Sequence, residues 1–220
     1  QNKENLELFV DKGIIDRRQA RLIFGSGVNT DTYFYSEELI TDNPIVLFPS
    51  RLLKEKGVET FVEASKILKA RMKVRMYIAG GIDSVNPSSI SKYQIDNWVD
   101  HGLVEWDGHI DDMPKLLSQS SIICLPTYYP EGIPKALIEA ASSGRAIITT
   151  DMPGCNEIVQ NNDNGILISI KSSDQLARAI IKLIDDAPLR NKYGKNGRKL
   201  VLEKFSSEIV DNATLEVYAD

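Results

Sequence analysis

Two glutamates eight positions apart, Glu131 and Glu139, are the residues whose types and spacing most directly suggest chemistry. Glu131 lies in a loop with glycine and proline, and Glu139 lies among alanines and aliphatic residues on a predicted helix. A carboxylate in apolar surroundings is costly unless it has hydrogen-bonding partners. Two such carboxylates suit a polyhydroxylated ligand, because each accepts hydrogen bonds from neutral hydroxyls. The alternative is a capping glutamate followed by an exposed helical glutamate.

The segment that carries both glutamates is predicted to be a strand, a tight loop and a helix. The strand covers residues 121–125, and the helix begins at about Ile133. Pro134 suits the first helical turn, where its missing N–H costs nothing. Gly144 suits the left-handed position after the last turn. Free backbone N–H groups at such a helix N-terminus make a site for anions and hydroxyls.

Basic residues and glycines follow the other predicted strands. Arg51 and Lys56 could converge on phosphate oxygens, or they could belong to a solvated charged turn. Gly80 and Gly81 either let the backbone approach a ligand closely or form a tight turn, and the sequence favours neither. His109 follows the third strand, and its use as a general base is the less favoured interpretation.

The elements that must position these residues alternate between strands and helices from residue 44 onward. Helices are predicted between the strands, among them residues 58–70, 88–101 and 113–119. This alternation predicts an α/β domain with a doubly wound, six-stranded parallel Rossmann-like sheet in the order 3-2-1-4-5-6. Ligands bind such sheets beyond the carboxyl ends of the strands, where all the residues above lie. The predicted strands are residues 45–48, 74–79, 103–106, 121–125, 146–150 and 165–170.

The two ends of the chain are predicted to be mostly helical. A helix over residues 4–10 and a strand over residues 21–24 precede a glycine-rich turn. Near the other end, Ser172 and Gln175 have the spacing of a capping box for a helix that reaches Asp186. Helices over residues 189–204 and 208–219 complete the chain.

Composition excludes several classes of protein. The chain has 220 residues, 42% of them hydrophobic and 26% charged, as is ordinary for a globular protein. Its net charge of −5 argues against nucleic-acid binding, which usually needs a basic face. Cys124 and Cys155 have no C-x-x-C neighbour, so neither a zinc site nor a disulfide framework is indicated. No apolar run reaches the roughly 18 residues of a transmembrane segment. The first residues do not form a signal peptide, so a cytoplasmic location is expected.

The sequence EGIPKALIE, with the A-x-x-x-G after it, resembles the signature of retaining glycosyltransferases of the two-Rossmann-domain (GT-B) architecture. This is family four, also called glycosyl transferases group one. The resemblance covers residues 25–205, including strand 145–150 and loop 151–157. The loop sequences look most like the branch that builds bacterial surface polysaccharides and lipid-linked sugars. Pro130 stands where that branch often has arginine.

The resemblance implies a role for each candidate residue. Arg51 and Lys56 would bind the donor diphosphate, Glu131 the hydroxyls of the transferred sugar, and Glu139 the ribose. Arg51, Lys56 and Glu131 are thus the catalytic candidates. No D-x-D pair is placed as a metal clamp, so no metal or other cofactor is expected. The remaining donor-binding positions are Gly80, Gly81, Ile110, and the backbone N–H groups of Gly132, Ile133 and Lys135.

The same resemblance divides the chain into three parts. Residues 1–43 would be the remnant of an amino-terminal domain with the interdomain linker. Residues 44–205 would form the nucleotide-sugar-binding domain, the carboxy-terminal half of the GT-B fold. Residues 206–220 would form a helix that returns to the missing domain. The absence of an initiator methionine fits a fragment, and such a fragment is expected to bind donor without transferring the sugar.

The function that follows is transfer of a glycosyl unit, with retention, from a nucleotide sugar to a saccharide or lipid-linked saccharide. The donor is expected to be a UDP-sugar, and the acceptor would bind through the missing domain. The full protein would lie in the cytoplasm, with peripheral contact at the inner face of the membrane. The alternatives are a UDP-sugar epimerase or a phosphorylase of this architecture, or a non-catalytic nucleotide-sugar-binding module. A phosphorylase would carry a lysine-bound pyridoxal phosphate, which absorbance reveals.

Overall fold

A computed structural model of the chain, which describes residues 2–219, contains one six-stranded parallel sheet. The strand order is β3-β2-β1-β4-β5-β6. This confirms the predicted doubly wound order, including the reversal between β1 and β4. The strands are β1 (Ile45–Pro49), β2 (Arg75–Ala79), β3 (Glu105–Trp106), β4 (Ile122–Leu125), β5 (Ala146–Thr150) and β6 (Gly165–Ile168).

The central strands are apolar and buried along their whole length. Every residue of β1, β4 and β5 is buried, as expected for parallel strands covered on both faces by helices. Helix α2 packs against α7, and α5 packs against α8. The helices are α1 (Lys3–Asp11), α2 (Val58–Lys69), α3 (Lys92–Asp100), α4 (Met113–Gln119), α5 (Lys135–Ser142), α6 (Cys155–Ile158), α7 (Ser173–Asp185), α8 (Ala187–Lys204) and α9 (Ser207–Ala219).

The predicted strand over residues 21–24 is wrong. These residues have no strand partner within residues 2–219, and the Phe24 ring instead packs edge-on against Phe205, with centroids 5.8 Å apart. The first bridge of the segment comes later, between Val28 and Ser206. A short apolar run therefore serves here to pack the segment against the end of α8 rather than to extend the sheet.

The predicted capping box at the start of α7 is also wrong. The Ser172 side chain makes no capping hydrogen bond. Gln175 reaches further back, because its Oε1 accepts the Ser169 N–H at 2.8 Å. The glutamine thus closes the turn after β6 rather than the first turn of the helix.

Helix α3 begins four residues later than predicted, at Lys92, with Ser91 as its N-cap. The preceding residues form a loop that is hydrogen-bonded to the segment after β1. Lys54 N–H donates to the Ser88 carbonyl at 3.0 Å, and Ile90 N–H donates to the Leu52 carbonyl at 2.8 Å. These bonds draw the loops after β1 and β2 together at the carboxyl edge of the sheet.

Three arginines hold residues 29–38 against the sheet domain. Arg145 is 1% exposed and donates to backbone carbonyls, including that of Ser36. Arg198 donates to the Tyr33 carbonyl at 3.1 Å. Arg190 pairs with Glu38 at 2.8 Å. The segment predicted as a linker is thus fixed along α5 and α8 through these contacts.

Two further features concern the ends of the chain and the membrane. Helix α1 has no buried residue, and Val210 is the buried residue of α9. No helix in residues 2–219 is long and apolar enough to cross a bilayer.

Candidate functional site

The loops that follow β1 and β4 meet where the strand order reverses. Gly57 has a φ of 84°, and a Cβ at this position would overlap the Pro126 carbonyl. The Glu55 carbonyl accepts both the Thr127 hydroxyl at 3.0 Å and the Tyr128 N–H at 2.9 Å. The close contact brings the predicted phosphate loop and the predicted sugar loop into one site.

Lys56 and Glu131 form an ion pair at the centre of this contact. The Lys56 ammonium lies 2.5 Å from Glu131 Oε2, and the two side chains are 17% and 16% exposed. The Thr127 hydroxyl donates to the other carboxylate oxygen at 3.1 Å. The Glu131 carboxylate therefore has a contact on each oxygen in a largely water-excluded position, which offsets the cost of burying its charge. The structure brings together two residues that the sequence analysis assigned to neighbouring parts of one donor.

Arg51 lies at the outer rim of the same site. Its Nη1 pairs with Asp83 Oδ2 at 2.6 Å, while 61% of the arginine side chain is exposed and 18% of the aspartate. The Ser89 hydroxyl accepts the Asp83 N–H at 3.1 Å, which fixes the aspartate. Asp83 was missed in the sequence, because a single aspartate in a serine-rich loop carries no spacing signal.

Glu139 is largely buried on α5, with 13% of its side chain exposed. Burial raises the pKa of its carboxyl, while the nearby Tyr33 hydroxyl and the charge of Lys135 act to lower it. The Lys135 ammonium is 3.8 Å away on the exposed side. Burial, followed by the effect of Glu139, raises the pKa of Tyr33 to about 12. Tyr33 was missed because it lies 106 positions earlier, in the predicted linker.

The N-terminus of α5 presents free donors beside Glu131. Pro134 is the N-cap rather than a residue of the first turn, and it makes no side-chain cap. The N–H groups of Gly132, Ile133 and Lys135 donate to no protein group among residues 2–219. The Ile133 side chain itself is 8% exposed and belongs to the core, so its backbone is the part left for a ligand. At the other end, Gly144 has the expected left-handed φ of 76°.

The glycines after β2 differ from each other. A Cβ on Gly80 would overlap the Ser50 carbonyl. Its N–H donates to the Gly108 carbonyl and its own carbonyl accepts from Trp106 Nε1, both at 2.8 Å. Gly80 is therefore required by packing between loops. At Gly81 a Cβ would meet nothing within 4 Å, so this position is open.

Ile110 follows β3, two strands from β1 in the sheet. It is half-buried and packs against the core. Neighbouring strands are roughly 5 Å apart, so the Ile110 loop lies about 10 Å along the sheet edge from the β1 loop. The His109 ring next to it is 80% exposed and lies 3.5 Å from Asp111. That position agrees with the lesser weight given to His109 as a general base.

The start of the chain also contacts the site. Asn2 is 1% exposed, and its Nδ2 donates to the Glu131 carbonyl at 2.8 Å. The Lys3 N–H donates to Glu157 Oε1 at 3.0 Å. The N-terminus of α1 therefore lies against the loops after β4 and β5. This contact could not be predicted from local sequence patterns, because it joins residues 129 positions apart.

Cys155 lies beneath the ion pair but offers no reactive thiol. It is fully buried, and burial raises its pKa to about 11. The protonated form is a poor nucleophile. Chemistry at this site therefore belongs to the carboxylates, the cations and the backbone donors.

Comparisons with known proteins show which family the chain resembles in sequence. The family model described as "Glycosyl transferases group 1" matches residues 29–200. The chain is 31% identical over 229 residues to the N,N'-diacetylbacillosaminyl-diphospho-undecaprenol alpha-1,3-N-acetylgalactosaminyltransferase of Campylobacter jejuni, covering 99% of this chain and 58% of that protein. It is 29% identical to the capsular polysaccharide biosynthesis glycosyltransferase CapM of Staphylococcus aureus, covering 79% of this chain and 45% of CapM. The chain thus spans about half the length of these curated relatives.

Solved structures share the fold. Sucrose-phosphate synthase from Thermosynechococcus elongatus superposes with a TM-score of 0.85 at 24% identity, over 99% of this chain and 56% of that one. Anabaena HepE in complex with UDP and glucose superposes with a TM-score of 0.84 at 18% identity, covering 100% of this chain and 62% of HepE. The C-terminal domain of the group 1 glycosyl transferase LpcC from Francisella tularensis superposes with a TM-score of 0.70 at 27% identity, covering 82% of this chain and 99% of that domain.

Proposed function

The chain belongs to the glycosyl transferases group 1 family, and from that premise we propose that it binds the nucleotide-sugar donor of a retaining transferase. The observation that carries the proposal is the Lys56–Glu131 pair at the strand-order reversal, flanked by Arg51 and by the N-terminus of α5. Cations and free N–H groups suit a diphosphate, and a buried carboxylate beside them suits a hydroxylated sugar.

Each group has a defined part in the proposed reaction. The bond between the anomeric carbon and the diphosphate oxygen breaks, and its electron pair leaves with the diphosphate. Arg51, Lys56 and the free N–H groups of α5 stabilise the charge that develops there. Glu131 accepts hydrogen bonds from the hydroxyls of the transferred sugar. The acceptor hydroxyl then bonds to the same face of the anomeric carbon and gives its proton to the departing diphosphate, which gives retention.

The remainder of the nucleotide extends along the sheet edge from this point. Glu139 accepts hydrogen bonds from the ribose hydroxyls. The base lies near Ile110 and the open position at Gly81, since these loops continue along the carboxyl edge toward β3. Gly80 contributes by holding the β1 and β2 loops together rather than by touching the donor.

The proposed donor is a UDP-sugar, carrying a hexose or an N-acetylhexosamine. HepE crystallised with UDP and glucose supports the nucleotide, and the name of the Campylobacter jejuni relative supports an N-acetylated sugar. The same relative supports a saccharide linked to a lipid diphosphate as the acceptor. Such a reaction belongs to bacterial surface polysaccharide synthesis at the inner face of the cytoplasmic membrane. We propose that it needs no metal or other cofactor.

Calorimetric titration with UDP tests the proposal. Arg51→Ala and Lys56→Ala should each weaken UDP binding by about 1.5–3 kcal/mol, the range for hydrogen bonds to charged groups. Arg71→Ala and Lys73→Ala are matched controls, because these exposed cations precede β2 at the opposite edge of the sheet. Equal affinity in all five proteins would contradict the phosphate assignment, and no binding of UDP or any UDP-sugar by the wild type would contradict the function itself.

A further inference from the structure

We propose that Asn2, at the start of α1, is a positioning residue that aims the Gly132 N–H at the diphosphate of the donor. The proposal rests on the proposed function, because it concerns the free backbone donors beside α5 in the same site. Asn2 acts through the peptide bond between Glu131 and Gly132 and does not touch the donor itself.

The Asn2 side chain is buried, and both ends of its amide are hydrogen-bonded. Its Oδ1 accepts the Asn5 N–H at 2.8 Å, which makes it the N-cap of α1. Its Nδ2 donates to the Glu131 carbonyl at 2.8 Å. The Lys3 N–H donates to Glu157 Oε1 at 3.0 Å, which holds the same end of the helix against the loop after β5. The direction of the amide is therefore set by the helix rather than by the Glu131 loop.

The bond to the Glu131 carbonyl also determines where the next N–H points. A peptide unit is planar, and in the trans form its C=O and N–H point in opposite directions. No cis peptide occurs within residues 2–219. The Glu131 carbonyl is directed at Asn2, so the Gly132 N–H is directed to the opposite side. It donates to no protein group among the described residues, and Asn2 thus sets its direction while leaving it free for a ligand.

The following peptide is restrained in the same way by Gly154, the N-cap of α6. A Cβ on Gly154 would overlap the Gly132 carbonyl oxygen and would lie 2.8 Å from its carbon, so this carbonyl points at Gly154. The Ile133 N–H, in the same peptide unit, therefore points away from Gly154. Two successive N–H groups are thus oriented by contacts on their carbonyl sides, and successive backbone N–H groups can bind an oxyanion together.

The peptide between Glu131 and Gly132 needs such a restraint because glycine offers little of its own. Gly132 has no Cβ, so the peptide can rotate once its carbonyl loses the partner. The Glu131 carboxylate would still be held by Lys56 and Thr127. Loss of the Asn2 amide should therefore weaken the contribution of the N–H group to phosphate binding while the ion pair remains.

Asn2→Ser tests this, because serine caps a helix about as well as asparagine but has no amide to donate. Isothermal titration should show UDP binding weakened about 3- to 10-fold, the effect of one hydrogen bond. Binding of uridine, measured by ligand-observed NMR, should be unchanged, since uridine has no phosphate. Asn2→Ala removes the cap as well and should weaken UDP binding to the same extent.

Asn5→Ala is the matched control on the same helix. Asn5 takes part in the cap through its backbone N–H, which the substitution leaves in place. The variant should bind UDP and uridine as the wild type does. Thermal unfolding of all four proteins shows whether a loss of affinity accompanies a loss of stability.

The amide resonance of Gly132 gives a readout that a purely structural role of Asn2 would not change. Addition of UDP should move the Gly132 amide proton downfield in the wild type, because the N–H then donates to a phosphate oxygen, and uridine should not move it. In Asn2→Ser at saturating UDP the movement should be smaller. A wild-type protein that binds UDP without this movement would overturn the proposal.

The outcomes separate this proposal from the proposed function. If Arg51→Ala weakens UDP binding while Asn2→Ser does not, the donor site stands and Asn2 has no positioning role. Weakening by Asn2→Ala alone would assign the effect to the helix cap, and equal weakening of UDP and uridine would indicate damage to the fold; either result overturns the proposal. If the wild type binds no nucleotide, the proposed function fails, and the role of Asn2 fails with it.

Discussion

At the scale of single residues, Lys56 and Glu131 neutralise each other although the proposed donor needs them for different groups. The Lys56 ammonium lies 2.5 Å from the Glu131 carboxylate, and less than one fifth of either side chain is exposed. An ion pair in such surroundings is strong, and removal of one partner leaves an uncompensated buried charge. The diphosphate must therefore compete with Glu131 for the Lys56 ammonium.

Because of this competition, Glu131→Gln should change the affinity for UDP and the affinity for the UDP-sugar by different amounts. The substitution keeps the shape of the side chain and the acceptor for Thr127, but it releases the full charge of Lys56 for the diphosphate. UDP binding should become tighter, by about 3- to 10-fold, the range for one net hydrogen bond. Binding of the UDP-sugar should gain less or weaken, because the sugar loses a carboxylate acceptor. The ratio of the two affinities, measured by titration, is the decisive quantity.

Thr127→Val is the companion variant for that experiment. It removes the hydroxyl whose single hydrogen is shared between Glu131 and the Glu55 carbonyl, while the charge of the ion pair and the Tyr128 N–H bond to Glu55 remain. It should therefore alter UDP affinity little. A Glu131→Gln protein with the wild-type ratio of UDP to UDP-sugar affinity would mean that Glu131 does not contact the sugar.

At the scale of elements, the site depends on the approach of the loops after β1 and β4. Gly57 permits that approach, since its φ of 84° and its contact with Pro126 both exclude a side chain. We expect Gly57→Ala to destabilise the fold by about 1–3 kcal/mol, the usual cost of such a backbone position. It should also weaken UDP binding, because Lys56 precedes the glycine directly. Thermal unfolding and titration measure the two effects.

Gly102→Ala separates backbone strain from loop contact. Gly102 also has a left-handed φ, 59°, but a Cβ there would meet only the flexible Lys69 ammonium at 3.6 Å. This variant should show the strain cost alone and leave UDP affinity unchanged. If Gly57→Ala were no more destabilising than Gly102→Ala and bound UDP normally, the loop contact would not be what aligns the site.

The sheet and most helices could be predicted because their signals are local. Buried parallel strands are short apolar runs, and the helices between them repeat at helical spacing. The strand order followed from the handedness of the crossovers. The strand predicted at residues 21–24 failed because an apolar run alone does not show whether a partner strand exists. The Ser172 capping box failed because Gln175 Oε1 accepts the Ser169 N–H instead of the N–H at the start of the helix.

In the candidate site, too, the features with a local sequence signal could be predicted and the others could not. The loops after strands could be located from the sequence, and so could Arg51, Lys56 and both glutamates as polar residues within them. The residues that contact these side chains could not be predicted, because each contact joins distant parts of the chain. Asp83 pairs with Arg51 across 32 positions. Tyr33 lies in a segment held by Arg145, from the turn before β5, and by Arg190 and Arg198, both from α8. Such contacts between distant residues have no recognisable sequence pattern.

At the scale of the whole molecule, the amino-terminal segment is part of the site's surroundings. Asn2 holds the Glu131 carbonyl, and the N-terminus of α1 meets Glu157. Helix α1 itself has no fully buried residue, and these two hydrogen bonds attach its N-terminus to the loops. The donor site and the start of the chain are therefore structurally connected, while the family match itself begins at residue 29.

These 220 residues alone are expected to bind the donor without transferring its sugar. The chain spans 58% of the Campylobacter jejuni transferase, and its proposed site contains groups for the donor. Correct placement of an acceptor can contribute about 7–11 kcal/mol to lowering a barrier. We therefore expect this chain to bind UDP and a UDP-sugar, to hydrolyse the donor slowly at most, and to transfer no sugar. The test is a radiolabelled-donor assay with saccharide and lipid-diphosphate-linked acceptors, run beside UDP titration. The full Campylobacter jejuni enzyme, with its own acceptor, is the positive control for the assay. Robust transfer by the 220 residues would show that they also bind and orient the acceptor, and would refute the donor-only role.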